Sequence, residues 1–206
     1  MRRHCCSNLF FILVIPAKNI DGGGWTLVRH VPAGNVWHKA TDQLRGTDVY
    51  GTPCGSMCKQ EWSIRFDNKN FNQFLFATGD ESKWLIADKD VVTGGYYAND
   101  PRLIYKSSTN ANSYSARWYR RSGNKEDPWI SLTDHHPAIG QGNILYGENH
   151  FGSTHANKIL PQHKGANVFV RMHGMIFLFH VYFYVGCKLV QPSGGLNLFC
   201  ISLVAS

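Results

Sequence analysis

The segments Thr133-Asp134-His135-His136, Gly140-Gln141-Gly142-Asn143 and Gly147-Glu148-Asn149-His150 concentrate chemically competent side chains within eighteen residues. The carboxylates of Asp134 and Glu148, with the amides of Asn143 and Asn149, are hard oxygen donors set among flexible glycines. That composition suits a calcium ion whose ligands come from a loop. The neighbouring imidazoles make zinc the rival cation. A plainer reading stands beside both, in which Asp134 caps a turn and Glu148 is a solvated surface charge.

Other chemistries find less support. The sequence has no GxSxG, HExxH or P-loop, and neither Cys54 nor Cys58 has the context of a catalytic nucleophile. Asp88-Lys89-Asp90 together with Asp134-His135-His136 gives a weak third reading, a metal-dependent hydrolase, which requires a parallel βα scaffold. Gly22-Gly23-Gly24 lacks the spacing of a phosphate cradle and reads as a tight turn. Arg117-Trp118-Tyr119-Arg120-Arg121 reads as a strand that stacks its own arginines on aromatics. Cys54 and Cys58 flank a short turn that a local disulfide could close, as expected in an oxidising compartment.

The chain has 206 residues, is only 17% charged, and contains 20 Gly, 6 Trp, 9 Tyr and 12 Phe. This excludes the highly charged disordered class and favours short strands and structured loops over a helix bundle. Its formal charge is +7, but all 14 acidic residues lie between Asp21 and Glu148, so residues 21–171 are nearly balanced. No nucleic-acid partner is expected from so mild a charge without a motif.

The two ends differ from the middle. Residues 1–20 place Arg2 and Arg3 before the apolar run Leu9 to Ile15, the order of a secretory signal peptide or of an incorrect gene start. Residues 172–206 form an apolar tail. Its uncharged stretch from Gly174 to Cys187 is shorter than the roughly 18–20 residues that cross a bilayer as a helix, so no membrane span is expected.

The elements that must position the loop are short and extended. Trp25 to Val28, the alternating Trp62, Ile64 and Phe66, Trp84 to Ala87, the alternating Tyr114, Ala116 and Trp118, Trp129 to Leu132, Ile144 to Tyr146 and Val168 to Val170 read as strands. One helix is expected over Asp67 to Phe76, with Phe71, Phe74 and Leu75 at i, i+3 and i+4 and Asp67 or Asn68 as cap. Long polar segments at 93–113 and 133–167 are where a site belongs.

Asp21-Gly22-Gly23-Gly24-Trp25-Thr26-Leu27-Val28 resembles the GGGWTLV signature of fibrinogen-like domains, particularly their intelectin-like branch. Asp134-His135-His136, Gly140 to Gly142, Glu148 and Phe151-Gly152-Ser153-Thr154-His155 follow in the order of that branch, and Val168-Phe169-Val170-Arg171 resembles its terminal strand. The resemblance covers residues 21–171. It implies a single extracellular fibrinogen C-terminal-like domain of the α+β class, with calcium as its cofactor. It also implies a secreted, non-catalytic lectin that binds vicinal diols of microbial glycans and is open to self-association. Carried over by position, Asp134, His135 and Glu148 would be metal ligands, and His135, Glu148 and Phe151 would meet the sugar. Leu132 stands where that pattern places an amide ligand. The alternative is an extracellular adhesion or structural domain without sugar binding.

Overall fold

Phe74-Leu75-Phe76, the end of the segment expected to be helical, lies in a strand. The computed structural model describes residues 19–34, 39–56, 58–94, 101–118, 130–134, 143–147 and 164–172. The chain divides into a unit of residues 1–173 and a second of residues 174–206, the latter wholly outside the described residues. After a single 3-10 turn at Ile20–Gly22 come β1 (Thr26–Val31), β2 (Trp62–Ser63), β3 (Gln73–Thr78), β4 (Trp84–Asp88) and α1 (Lys89–Thr93). These are followed by β5 (Pro101–Ile104), β6 (Lys106–Ser107), β7 (Tyr114–Arg117), β8 (Ile130–Ser131), β9 (Ile144–Tyr146) and β10 (Ala166–Arg171).

Six strands make the main sheet in the order β2-β1-β10-β3-β4-β6, and the pairs β5-β7 and β8-β9 make two smaller ones. Every ladder among the described residues is antiparallel. The α+β expectation is therefore corrected: among the described residues the architecture is essentially all-β, and α1 is a helix of five residues. No described helix is long and apolar enough to cross a membrane.

The helix expected over Asp67 to Phe76 fails for an identifiable reason. β3 is buried on both faces, so both registers of its period-2 pattern are apolar and the alternation disappears from the sequence. Phe74 and Phe76 enter the larger core with Phe66, Leu85, Trp118 and Tyr146, whereas Leu75 and Ala77 enter a second cluster with Trp25, Trp62, Ile86 and Phe169. Phe66, Phe71 and Phe74 meet edge to face at centroid separations of 5.1–6.2 Å, an arrangement that adds roughly 0.5–1.5 kcal/mol per pair to area burial. The other expected strands are present, although β2 is confined to Trp62–Ser63.

A bulge in β1 skips Val28 in the pairing with β10, where Leu27 faces Phe169 and Arg29 faces Val168. Two consecutive residues then serve one face. Val28 joins the larger core, and the Arg29 guanidinium lies over the Phe66 ring. Arg29 is fully buried. Its Nε donates to Ser63 (3.0 Å), Nη1 to the Tyr146 hydroxyl (3.3 Å), and Nη2 to both carboxylate oxygens of Asp42 (3.1 and 3.0 Å). Asp42 also accepts the backbone N–H groups of Leu44, Gly46 and Asp48. This one pair fixes the 42–48 loop, β1, β2 and β9 together. Burial alone would raise the Asp42 pKa, but the charge and hydrogen bonds of Arg29 and the loop N–H groups outweigh it and hold the carboxyl below its usual range.

The β3–β4 turn is tied to the start of β10. Asp80 accepts from Thr78 (2.6 Å), Ser82 Oγ (2.8 Å) and Lys164 Nζ (2.8 Å). A side chain at Gly79 would collide with the Lys164 carbonyl, so only glycine allows this approach. Partial burial works against the charged form of Asp80, yet Lys164, Thr78 and Ser82 push its pKa far below the ordinary value. Asp21, also desolvated, is lowered by Lys106 and Arg171.

Carboxyls depressed in the folded state stabilise it above their unfolded pKa and lose that contribution as the pH falls. Urea midpoints are therefore expected to stay flat down to about pH 5 and to fall below about pH 4, where unfolded Asp takes up protons. Lys164→Ala should shrink the acid loss. Midpoints that rise on acidification would contradict the assignment.

Candidate functional site

β8 and β9 carry the loop that the sequence singles out. Ile130 faces Tyr146 and Ser131 faces Ile144, and both strands are buried. Trp118 Nε1 donates to the Ser131 carbonyl (2.8 Å), and the Tyr114 hydroxyl donates to the Leu132 carbonyl (2.8 Å). Burial raises the Tyr114 pKa, keeping that hydroxyl a donor. Trp118 is thus a core residue, and Arg117 beside it, the last residue of β7, is exposed; residues 119–121 of the segment expected to stack its arginines on aromatics lie outside the described residues. Leu132, whose side chain has no donor atom, is buried and packs in the larger core.

Thr133 and Asp134 leave β8 at the loop end of the hairpin, where Asn143 returns to β9. The Leu132 N–H donates to the Asn143 carbonyl (3.0 Å), Asn143 Nδ2 donates to Thr133 Oγ1 (3.3 Å), and Lys83 Nζ approaches Asn143 Oδ1 (3.5 Å). The structure therefore brings Asn143 against Thr133, the residue before Asp134, joining two parts of the expected cluster. Asp134 is half-exposed. Its Oδ1 accepts the backbone N–H of Arg117 (2.7 Å), and its Oδ2 lies 3.9 Å from the Arg117 guanidinium. That is the turn-capping geometry of the plainer reading. The Asp134 carboxylate and the Asn143 carbonyl oxygen are nevertheless hard donors of the kind calcium takes.

His135, His136, Glu148 and Phe151, with Gly140 to Gly142, Asn149 and His150, lie outside the described residues. Among the described residues, no three His, Cys, Asp or Glu side chains form a group. Asp88, offered for a hydrolase, precedes α1 and accepts from Gln73 Nε2 (3.1 Å). The strands on either side of β4 run antiparallel to it, so the described residues contain no βαβ unit of the kind that reading requires.

The two ends of the resembling region meet in one structural knot. Gly22, Gly23 and Gly24 all adopt positive φ (82°, 79° and 77°), a conformation natural to glycine. The turn directs the carbonyls of Asp21 (2.7 Å) and Gly23 (3.2 Å) at Arg171 Nη1. Nη2 of Arg171 pairs with the Asp21 carboxylate (2.5 Å), Nε and Nη2 both donate to Gln73 Oε1, and the guanidinium lies 4.1 Å from the centroid of the Trp25 ring. Trp25 Nε1 donates to the Ile20 carbonyl (2.8 Å), and Lys106 Nζ reaches the other Asp21 oxygen (2.8 Å). The glycines form the expected turn, with carbonyls rather than N–H groups presented to a charged partner.

Cys54 and Cys58 are at disulfide-bonding distance, with their Cα atoms 5.8 Å apart. A cleft of about 490 Å³, which the sequence did not signal, opens at the end of β1 between Pro32, Lys39, Tyr50, Lys59 and Glu61. No spacing rule joins residues drawn from four separate segments.

The described part of the chain thus belongs to the class of antiparallel all-β domains built on a six-stranded sheet. Comparison with protein-family models, with curated proteins and with solved structures gives no match.

Proposed function

We propose that the chain is a secreted, calcium-dependent glycan-binding module without catalytic activity. The reading is carried by the order of Asp134, His135, Glu148 and Phe151 in the sequence. It is supported by a hairpin whose loop end carries a half-exposed Asp134 carboxylate next in sequence to Thr133, which Asn143 contacts. Asp134, His135 and Glu148 would hold the cation, whose remaining coordination positions would be completed by two hydroxyls of the sugar. His135 and Glu148 would orient those hydroxyls, and the Phe151 ring would pack on the apolar face of the sugar.

Binding to a panel of immobilised glycans, with calcium and with EDTA, tests this. Glu148→Gln keeps the side chain's shape and removes a charge from the cation site, so binding at limiting calcium is expected to fall by roughly tenfold or more. His135→Ala should act alike, and Lys158→Ala should change little. Calcium should also raise the melting temperature of the wild type by mass action. A Glu148→Gln protein that binds as wild type would overturn the assignment.

One observation favours the adhesion or structural alternative: both Asp134 oxygens already face Arg117. On that reading Asp134→Asn would alter stability alone, and no glycan in the panel would bind.

A further inference from the structure

We propose that the Cys54–Cys58 bond is a redox latch: its reduction releases a strap that covers His30 and Trp62 on the second face of the main sheet, while the sheet itself persists. The strap's carbonyls lie on the polar tips of two buried side chains. The Cys58 carbonyl, which can only accept, lies 2.9 Å from His30 Nε2, and the Gly55 carbonyl accepts from Trp62 Nε1 (3.4 Å). His30 and Trp62 are 2% and 3% exposed, and their rings lie 6.4 Å apart on neighbouring strands. Cys58 packs against the second cluster, whereas Cys54 is exposed and open to a reductant.

The bond closes a ring of only five residues. So small a ring removes little entropy from the unfolded chain, and its contribution to global stability is modest. The main ladders involve neither cysteine. The fold can therefore exist in both redox states, and what changes is the tether that holds two carbonyls over His30 and Trp62. In the forward step a dithiol transfers two electrons and two protons. The Sγ–Sγ bond breaks, an S–H forms on each cysteine, and the dithiol leaves as its own disulfide.

The test is carbethoxylation of His30 by diethylpyrocarbonate, read by peptide mass spectrometry on the full chain before and after treatment with dithiothreitol. Far-UV circular dichroism is recorded in parallel. On reduction the His30 rate is expected to rise roughly tenfold or more as the strap opens locally, with secondary structure unchanged and protection restored by an oxidant. The double variant Cys54→Ser/Cys58→Ser should show the fast rate without reductant and no response to it, which separates this pair from Cys5, Cys6, Cys187 and Cys200. An unchanged His30 rate with both thiols free would overturn the proposal. So would loss of secondary structure on reduction, or a bond that resists reduction in the folded protein.

Discussion

Asp42→Asn is expected to lower the unfolding free energy by about 3–5 kcal/mol, the usual result of removing one partner from a buried ion pair. The carboxylate is 1% exposed and accepts both Nη2 contacts from Arg29 together with three backbone N–H groups. An amide keeps the volume but turns one acceptor into a donor facing other donors. It also deprives the buried guanidinium of its counter-charge. In urea this corresponds to a midpoint shift on the order of 1–3 M. Replacing both partners, Arg29→Met with Asp42→Leu, should recover a large part of the loss, since the desolvation of two charges disappears with them. A single variant within about 1 kcal/mol of wild type would contradict the role assigned to this pair.

Arg171→Met is expected to cost about 2–4 kcal/mol. The substitution keeps apolar bulk against Trp25 but leaves the Gln73 carbonyl oxygen and the Asp21 and Gly23 carbonyls short of a donor. Arg171→Lys should rescue only part of the effect, because an ammonium cannot fork across three partners and lie flat on an indole. Asp21→Asn should be milder, as that carboxylate is 15% exposed and is shared with Lys106. Equal behaviour of the Lys and wild-type proteins would show that charge alone, and not the planar fork, holds the knot.

What could be read from the sequence follows from how local each signal is. β4, β7, β9 and β10 are short apolar or alternating runs bounded by turn residues, and they form where expected. β3 is hidden in the sequence because burial on both faces erases alternation, so Phe71, Phe74 and Leu75 imitate a helical stripe. Removing that helix changes the fold class. Arg29 and Asp42 could not be paired in advance: nothing in a thirteen-residue separation marks two charges for the core. The glycine triplet and the terminal Val-Phe-Val-Arg run were visible as motifs, but their contact across 150 residues was not. In the candidate site, the adjacency of Thr133 and Asn143 follows from the hairpin, whereas the clasp between Asp134 and Arg117 depends on tertiary packing that no spacing encodes.

The strand order bears on how the protein is made. β10 sits between β1 and β3 and pairs with both, Val170 facing Thr26 on one side and Phe74 on the other. A ribosome emits β1 and β3 long before the strand that joins them, so through most of synthesis the nascent chain carries two apolar strands whose shared neighbour does not yet exist. Closure of such distant pairings is entropically slow. The waiting edges are sites for pairing with other chains. Completion of the sheet consequently waits for residues 166–171, and until they emerge the facing edges of β1 and β3 stay exposed to other chains.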